Sequence, residues 1–167
     1  MKSKNTLGVL ALLIGSIFAQ GICAQDAPKD DSRYYDSWVG KWFAVVDGKT
    51  AKDPKFVVTQ GFNKNAYEEI WISEGYISKA WRGWNSQDKR WDFAWVTDDG
   101  LFQIWEGKKL GGTWYMYKTF NIKGEEVLSR QAFVMENDRT MIRTSEHSKD
   151  KGKTWQLRFK EKYVKGK

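Results

Sequence analysis

Glutamates and arginines in the middle of the chain are the side chains whose types could support acid–base or anion-binding chemistry. Glu69 and Glu146 fall in segments rich in β-branched and aromatic residues, as do Arg130 and Arg143. A carboxylate beside an inward guanidinium in a dry cavity can act as an acid–base pair. A buried ion pair with a purely structural role is the alternative interpretation, and we prefer it.

Aromatic residues form the second group of candidates. The sequence has ten tryptophans, more than a core of this size needs. An aromatic-lined cavity with a few polar groups is typical of a site for a flat or apolar molecule. We predict a ligand-binding set of five aromatic and three charged residues. Its members are Trp71, Trp95, Trp105, Tyr115, Tyr117, Glu69, Arg130 and Arg143.

Metal and nucleophile chemistry finds little support in the sequence. His147 is the only histidine and Cys23 the only cysteine, so no multi-histidine or cysteine metal cluster is expected. A Ser-His-Asp triad would need His147, and no nucleophile elbow accompanies it. One histidine is enough for an axial haem ligand, but His147 stands three residues before Asp150, beside a predicted turn. We expect a surface histidine there and no cofactor.

The sequence predicts a succession of short strands, which must position these side chains. Between Val39 and Val164, about ten segments rich in β-branched and aromatic residues alternate with turns that carry Gly, Asn or Asp. No connection is long enough for a crossover helix, which favours antiparallel neighbours. We predict an all-β fold, a single antiparallel up-and-down barrel of about ten strands, whose closure removes the sheet edges.

Alternation assigns the faces of some strands and leaves others open. In the last segment, Leu157 and Phe159 are predicted on the buried face and Arg158 on the wet face. In the segments 66–72 and 112–121 the inward face is not determined, because apolar residues occur on both sides. Such residues either line a cavity or lie on a covered outer surface, for which a homodimer contact is one explanation.

A short motif opens the first predicted strand. Gly40-Lys41-Trp42 resembles the Gly-x-Trp signature of lipocalins and their calycin relatives. The resemblance implies that Gly40 lets the chain bend and that Trp42 plugs the closed end of the barrel. It also implies a basic partner for Trp42 near the last strand, and Arg158 or Arg143 could fill that position.

A second motif lies before the last strand. Residues 148–155 fit the pattern S-x-D-x-G-x-T-W and resemble the Asp-box, a hairpin turn found in many exported β proteins. Asp150 can accept hydrogen bonds from the turn backbone, Gly152 can take a positive φ, and Trp155 can pack under the turn. Turn chemistry explains every residue of the motif, so we predict a structural role.

Together these motifs resemble a family of small exported bacterial lipocalin-like proteins of unknown function. The resemblance runs from Trp38 to the end and adds segments like Arg90-Trp91-Asp92 and 128–133. Two positions depart from the family pattern, Lys151 and Ser145. The resemblance implies a lipocalin-like barrel and export from the cytoplasm, and it brings no catalytic set with it.

The first residues have the pattern of a secretory signal peptide. Lys2 and Lys4 precede an apolar run from Leu7 to Ala19 that contains no charge, and small and polar residues follow. A run of that length is too short to span a bilayer, which takes about 20 residues. We predict a signal peptide over 1–24, with cleavage after Ala19 as the alternative, and therefore a periplasmic or secreted protein.

Removal of residues 1–24 would take away two lysines and no acid, lowering the formal charge from +7 to +5. It would also remove Cys23, whose preceding residues fit a lipoprotein signal poorly, and leave no thiol for a disulfide. We predict a flexible lead-in over 25–37 and a barrel domain over 38–167. A moderate positive charge on an exported chain argues against a nucleic-acid partner. It leaves open an attraction to an anionic envelope surface.

Three functions fit this pattern. We favour a barrel that binds a small hydrophobic or aromatic molecule in an aromatic-lined cavity, with Arg130 or Arg143 as the polar anchor. The first alternative is a lyase, isomerase or hydrolase that uses a Glu or Tyr as acid–base and an Arg to hold an oxyanion. The second is an envelope protein that binds its partners through its outer surface.

Overall fold

The chain forms one closed β-sheet in a computed structural model, which describes residues 30–73 and 75–167. The predicted signal peptide 1–24, with Cys23, and the start of the lead-in lie outside the described residues. Eleven strands follow one another along the chain. They are β1 (Gly40–Val46), β2 (Lys49–Thr50), β3 (Phe56–Gln60), β4 (Ala66–Ser73), β5 (Tyr76–Asn85), β6 (Arg90–Thr97), β7 (Phe102–Leu110), β8 (Thr113–Ile122), β9 (Glu125–Asn137), β10 (Thr140–Ser148) and β11 (Gln156–Lys165).

Each strand from β3 to β10 pairs antiparallel with the next strand in the chain. The sheet closes because β1 pairs with β3 on one side and with β11 on the other, where Ala44 stands opposite Tyr163. β2 is a two-residue strand that pairs only with β1. Ten strands therefore form the closed barrel, which confirms the predicted all-β, up-and-down architecture and leaves the barrel no open edge.

Alternating side chains give the barrel an aromatic interior. In β6, the buried Trp91 and Phe93 alternate with Arg90 and Asp92, which are partly exposed. In β8, Trp114 is buried and faces the interior. Successive side chains point to opposite faces of a strand, so a period of two is sufficient to place most of the aromatic residues inside.

One end of the barrel is closed by residues 30–38, which form two short 3-10 helices, Asp31–Arg33 and Asp36–Trp38. Tyr35 and Trp38 are fully buried. The indole Nε1 of Trp91 donates to the carbonyl oxygen of Asp31 at 2.8 Å and ties this cap to β6. The described part of the predicted lead-in thus packs against the barrel, and its aromatic residues complete the core.

Trp42 lies behind this cap and is fully buried. Its Nε1 donates to the carbonyl oxygen of Trp38 at 2.8 Å, and its ring is nearly parallel to that of Phe56. The basic residue beside it is Lys165, whose Nζ lies 5.6 Å from the ring centroid, in place of the predicted arginines. Gly40 has φ +141°, and a Cβ atom there would lie 2.7 Å from Cε of the same lysine.

A buried ion pair crosses the interior between β4 and β5. Arg82 and Glu69 are both 0% exposed, and Nε of the arginine donates to Oε1 of the glutamate at 2.5 Å. The guanidinium carbon lies 4.5 Å from the ring centroids of Trp38 and Phe93 and 4.6 Å from that of Phe133. The pair thus links the cap to the aromatic residues farther along the barrel, and aromatic faces solvate the cation where water is excluded.

Hydrogen bonds hold the turn before β11 together, as its sequence predicts. Asp150 accepts from the backbone N–H of Thr154 at 2.9 Å, from its hydroxyl at 2.6 Å and from the hydroxyl of Ser148 at 2.7 Å. Gly152 has φ +90°, and its carbonyl oxygen accepts from Nε1 of Trp155. These bonds lower the pKa of Asp150 from 3.8 to about 2, the side chain and backbone of Thr154 being the main donors.

This low pKa gives the turn a pH dependence. Because the pKa of Asp150 is lower in the folded protein than in the unfolded chain, its carboxylate stabilises the fold above pH 4, and the contribution fades as the pH falls towards 2. We expect Asp150→Asn to lower the thermal unfolding midpoint at pH 6 and to have almost no effect near pH 2. Thermal unfolding at pH 6, 4 and 2 measures the difference.

Asp53→Asn, in an exposed loop, is the matched control and should unfold like the wild type at each pH. A loss of stability in Asp150→Asn that stayed the same from pH 6 to pH 2 would show that its charge does not hold the turn.

Candidate functional site in the barrel interior

A cavity of about 530 Å³ occupies the barrel at the end opposite the cap. Its walls come from the first residues of β5, β7 and β11 and from the last residues of β6, β8 and β10, which include Tyr76, Ile122 and His147. The volume is within the range of pockets that enclose small organic molecules, about 300–1,000 Å³. Closure of one end by the cap leaves the other end as the entrance.

Aromatic side chains form much of the cavity wall. Trp71, Trp95 and Trp105, all predicted to bind ligand, face the cavity. Four phenylalanines that the prediction omitted lie beside them: Phe93, Phe120, Phe133 and Phe159. Nε1 of Trp71 donates to Glu69 at 2.9 Å, and Nε1 of Trp105 donates to Gln103 at 3.0 Å. Because these indole N–H groups are already bonded, the two tryptophans offer mainly their ring faces to the cavity.

Arg143 is the predicted charged residue that reaches the cavity. Its Nη1 donates to Oε2 of Glu161 at 3.2 Å and its Nη2 to Oε1 of Gln131 at 3.3 Å. Its Nε is buried and finds no acceptor among the described residues. The guanidinium carbon lies 4.8 Å from the ring centroids of both Trp71 and Phe159. Arg143 is therefore held in position by rings, and one of its donors remains unused.

Arg158 also lines the cavity, contrary to the predicted wet face of the last strand. The register between β10 and β11 shifts at this point, since Ser145 pairs with Phe159 and Glu146 with Leu157. Arg158 is the extra residue of this bulge, and beyond it the two faces of β11 exchange. Leu157, predicted to be buried, is 60% exposed as a result. A bulge of one residue reverses the alternation on which the prediction rested.

His147 faces the cavity and not the outer surface that was expected from its place beside a turn. It precedes Ser148, the last residue of β10, and has the same inward orientation as Ser145 and Arg143 on that strand. Burial, together with the positive charge of Arg158, lowers the pKa of the imidazole below its ordinary value of 6.5. The ring is therefore largely neutral at pH 7, in an electropositive part of the cavity.

Glu69 was predicted to bind ligand, but the structure places it beneath the cavity wall in its ion pair with Arg82. It reaches the cavity only indirectly, through the hydrogen bond that its Oε2 accepts from Trp71. A carboxylate already bonded to a guanidinium and an indole has little capacity left for a ligand. Its role is to fix the orientation of the tryptophan.

Three further predicted ligand residues, Tyr115, Tyr117 and Arg130, lie on the outer face and do not reach the cavity. Nε of Arg130 donates to Oε2 of Glu146 at 2.6 Å, and its guanidinium carbon lies 3.9 Å from the ring centroid of Trp155. Tyr115 contacts the same guanidinium at 4.8 Å. β8 turns Trp114 and Met116 inward, so its tyrosines must point outward. Arg130 does pair with a glutamate, Glu146, but on the outer face and not, as was predicted, in the interior.

The outer face of β5–β7 carries exposed apolar side chains. Phe102 is 65% exposed, and Ile77, Ile104 and Trp81 also contribute to this outer apolar face. The register places Trp81, Ala94 and Ile104 side by side across the three strands. Exposed apolar residues grouped in this way are unusual on a monomer and are a second, separate feature of the molecule.

Among the described residues, no group of three or more His, Cys, Asp or Glu side chains could hold a metal ion. In the same part of the chain, no helix is both long and apolar enough to cross a membrane. The sequence matches no protein-family model and no curated protein.

Proposed function

We propose that the barrel binds one small aromatic or apolar molecule in its interior cavity. The observation that supports this proposal is a cavity of about 530 Å³ whose wall combines aromatic rings with polar side chains, two of which, Glu161 and Gln131, bond to Arg143. The buried cap at one end makes the cavity a dead-end pocket, which suits a binding protein because a ligand can enter and leave by one route.

A catalytic role has less support from the geometry. The acid–base pairs considered for it are engaged elsewhere, Glu69 with Arg82 in the core and Glu146 with Arg130 on the outer face. Both pairs lie away from the cavity walls, so neither can act on a bound molecule. The carboxylate that does line the cavity, that of Glu161, is bonded to Arg143 and to the hydroxyl of Tyr163. Binding without turnover is the function we propose.

The proposal predicts that filling the cavity abolishes binding. Ser145 is buried, lines the cavity and stands opposite Gln131 and Phe159 on the neighbouring strands. We expect Ser145→Phe to weaken the binding of N-phenyl-1-naphthylamine, a neutral probe that fluoresces in apolar surroundings, by at least about tenfold. The larger ring would occupy the volume that the probe needs. Fluorescence titration of the purified protein measures the dissociation constant.

Thr144→Phe is the matched control, because Thr144 is the neighbouring residue and points to the outer face opposite Ala132. We expect this variant to bind the probe as the wild type does, and thermal unfolding of both variants checks that they remain folded. Equal affinities for Ser145→Phe and the wild type would place the probe elsewhere and contradict the proposal.

We also propose that the protein acts outside the cytoplasm, in the periplasm or as a secreted protein, and that it is related to the exported bacterial lipocalin-like family. The signal-like pattern of residues 1–24 supports the first proposal. For the second, the support is the Gly40-x-Trp42 start together with the turn motif at 148–155. N-terminal sequencing of the protein from its natural source tests the first proposal, because export predicts a mature chain that begins at Gln25, or at Gln20 if cleavage follows Ala19.

A further inference from the structure

We propose that the bound molecule carries a carboxylate or another anionic group beside its aromatic part, and that Arg143 and Arg158 hold this group. The inference rests on the proposed function, because it specifies the ligand of the same cavity. It selects one class, aromatic anions, from the apolar and aromatic molecules that the cavity walls alone would accept.

The first argument is the balance of charge in the cavity. Two guanidinium groups line it, those of Arg143 and Arg158, and the carboxylate beside them is that of Glu161. Oε2 of this carboxylate is shared, since it accepts from Arg143 at 3.2 Å and from the hydroxyl of Tyr163 at 2.6 Å. With that carboxylate already shared between two donors, the positive potential of the two guanidinium groups favours a negative ligand.

The second argument is the bonding of Arg143. Its hydrogen bonds to Glu161 and Gln131 have donor–acceptor distances of 3.2 and 3.3 Å. Both distances are long for bonds that a guanidinium donates to a carboxylate or an amide oxygen. Its buried Nε has no acceptor among the described residues. An anionic oxygen could accept from this unused donor, and charge-assisted bonds of this kind are shorter and stronger than neutral ones.

The third argument is that the guanidinium is positioned before any ligand arrives. Trp71 and Phe159 each place a ring centroid 4.8 Å from its central carbon. Such contacts restrict the arginine to one orientation, so little side-chain entropy is lost on binding. The same rings continue into the aromatic wall, and an aromatic group attached to the anion would therefore lie against them.

Arg158 extends the electropositive region towards the entrance, beside the neutral ring of His147. Both belong to the cavity wall at the barrel end where β10 finishes and β11 begins. The positive charge of Arg158 is one cause of the lowered pKa of His147. An anion bound beside these two residues would favour the protonated imidazole, so we expect binding of an aromatic anion to be accompanied by proton uptake.

A pair of probes that share one aromatic ring system, one anionic and one neutral, tests the inference. Isothermal titration calorimetry compares 2-naphthoate with its neutral counterpart, 2-naphthalenemethanol, on the wild type and on Arg143→Met, Arg158→Gln and Lys160→Gln. Lys160 is an exposed residue of β11 outside the cavity wall, so its variant controls for loss of one positive charge. We expect the wild type to prefer 2-naphthoate by at least about tenfold, and each arginine variant to lose most of that preference.

The outcomes separate this inference from the proposed function. Binding of both probes with equal affinity would overturn the anion inference and leave an aromatic-binding barrel intact, whereas binding of neither probe would overturn both. A preference for 2-naphthoate that survives in Arg143→Met and Arg158→Gln, or disappears in Lys160→Gln, would also contradict the assignment. Arg158→Gln keeps the test valid should Arg143→Met fail to fold, because Arg158 is largely exposed.

Discussion

Replacement of Glu69 by leucine is expected to lower the free energy of unfolding by about 3–5 kcal/mol. The substitution removes the carboxylate that pairs with the fully buried guanidinium of Arg82, and it removes the acceptor for the indole of Trp71. A buried charge without a partner carries a desolvation cost that aromatic contacts offset only in part. Urea unfolding monitored by tryptophan fluorescence measures the change.

The double variant Glu69→Leu with Arg82→Leu is the decisive comparison. Removing both charges abolishes the unpaired guanidinium, so we expect the double variant to be more stable than Glu69→Leu alone. Glu68→Leu, a neighbouring glutamate that pairs with Lys79 at the surface, should cost about 1 kcal/mol at most. A change of that small size in Glu69→Leu would mean that the buried pair does not stabilise the core.

Trp38→Ala is the second variant with a large expected effect, again about 3–5 kcal/mol in the free energy of unfolding. Trp38 is fully buried in the cap, with its ring 4.8 Å from Tyr35, 4.6 Å from Phe133 and 4.5 Å from the guanidinium carbon of Arg82. Its loss would open a cavity in the closed end of the barrel. Urea unfolding measures this effect as well.

The same variant also tests the link between the cap and the cavity. Phe133 contacts Trp38 on one side and lines the cavity on the other, so loosening the cap should weaken probe binding too. Trp81→Ala is the matched control, because Trp81 is 43% exposed on the outer face and should cost about 1 kcal/mol at most. Similar losses for the two tryptophans would show that the cap adds no special stability.

The barrel itself could be predicted from the sequence because its signals are local. Gly, Asn and Asp at regular turns and a period of two in the strands are sufficient to give ten antiparallel neighbours. Trp91 and Phe93 follow this period without interruption. The cap could not be predicted in the same way, since the burial of Tyr35 depends on contacts with residues such as Trp91, far away in the chain.

The cavity was only partly predictable, for two physical reasons. β8 has aromatic residues on both faces, so alternation alone could not decide whether Trp114 or Tyr115 points inward. In β11 a one-residue bulge turns Arg158 into the cavity, and no residue type in that segment signals the shift. Aromatic excess correctly indicated the chemistry of the walls, while the choice among the arginines depended on strand register.

The central claim is that an aromatic molecule binds inside the barrel, and a crystal structure with 6-bromo-2-naphthol tests it most directly. Anomalous scattering locates the bromine without reference to any assumed pose. We expect one bromine peak per chain, inside the cavity among Trp71, Trp95 and Trp105. A peak confined to the outer apolar face at Trp81 and Phe102, with the interior empty of the probe, would contradict the claim.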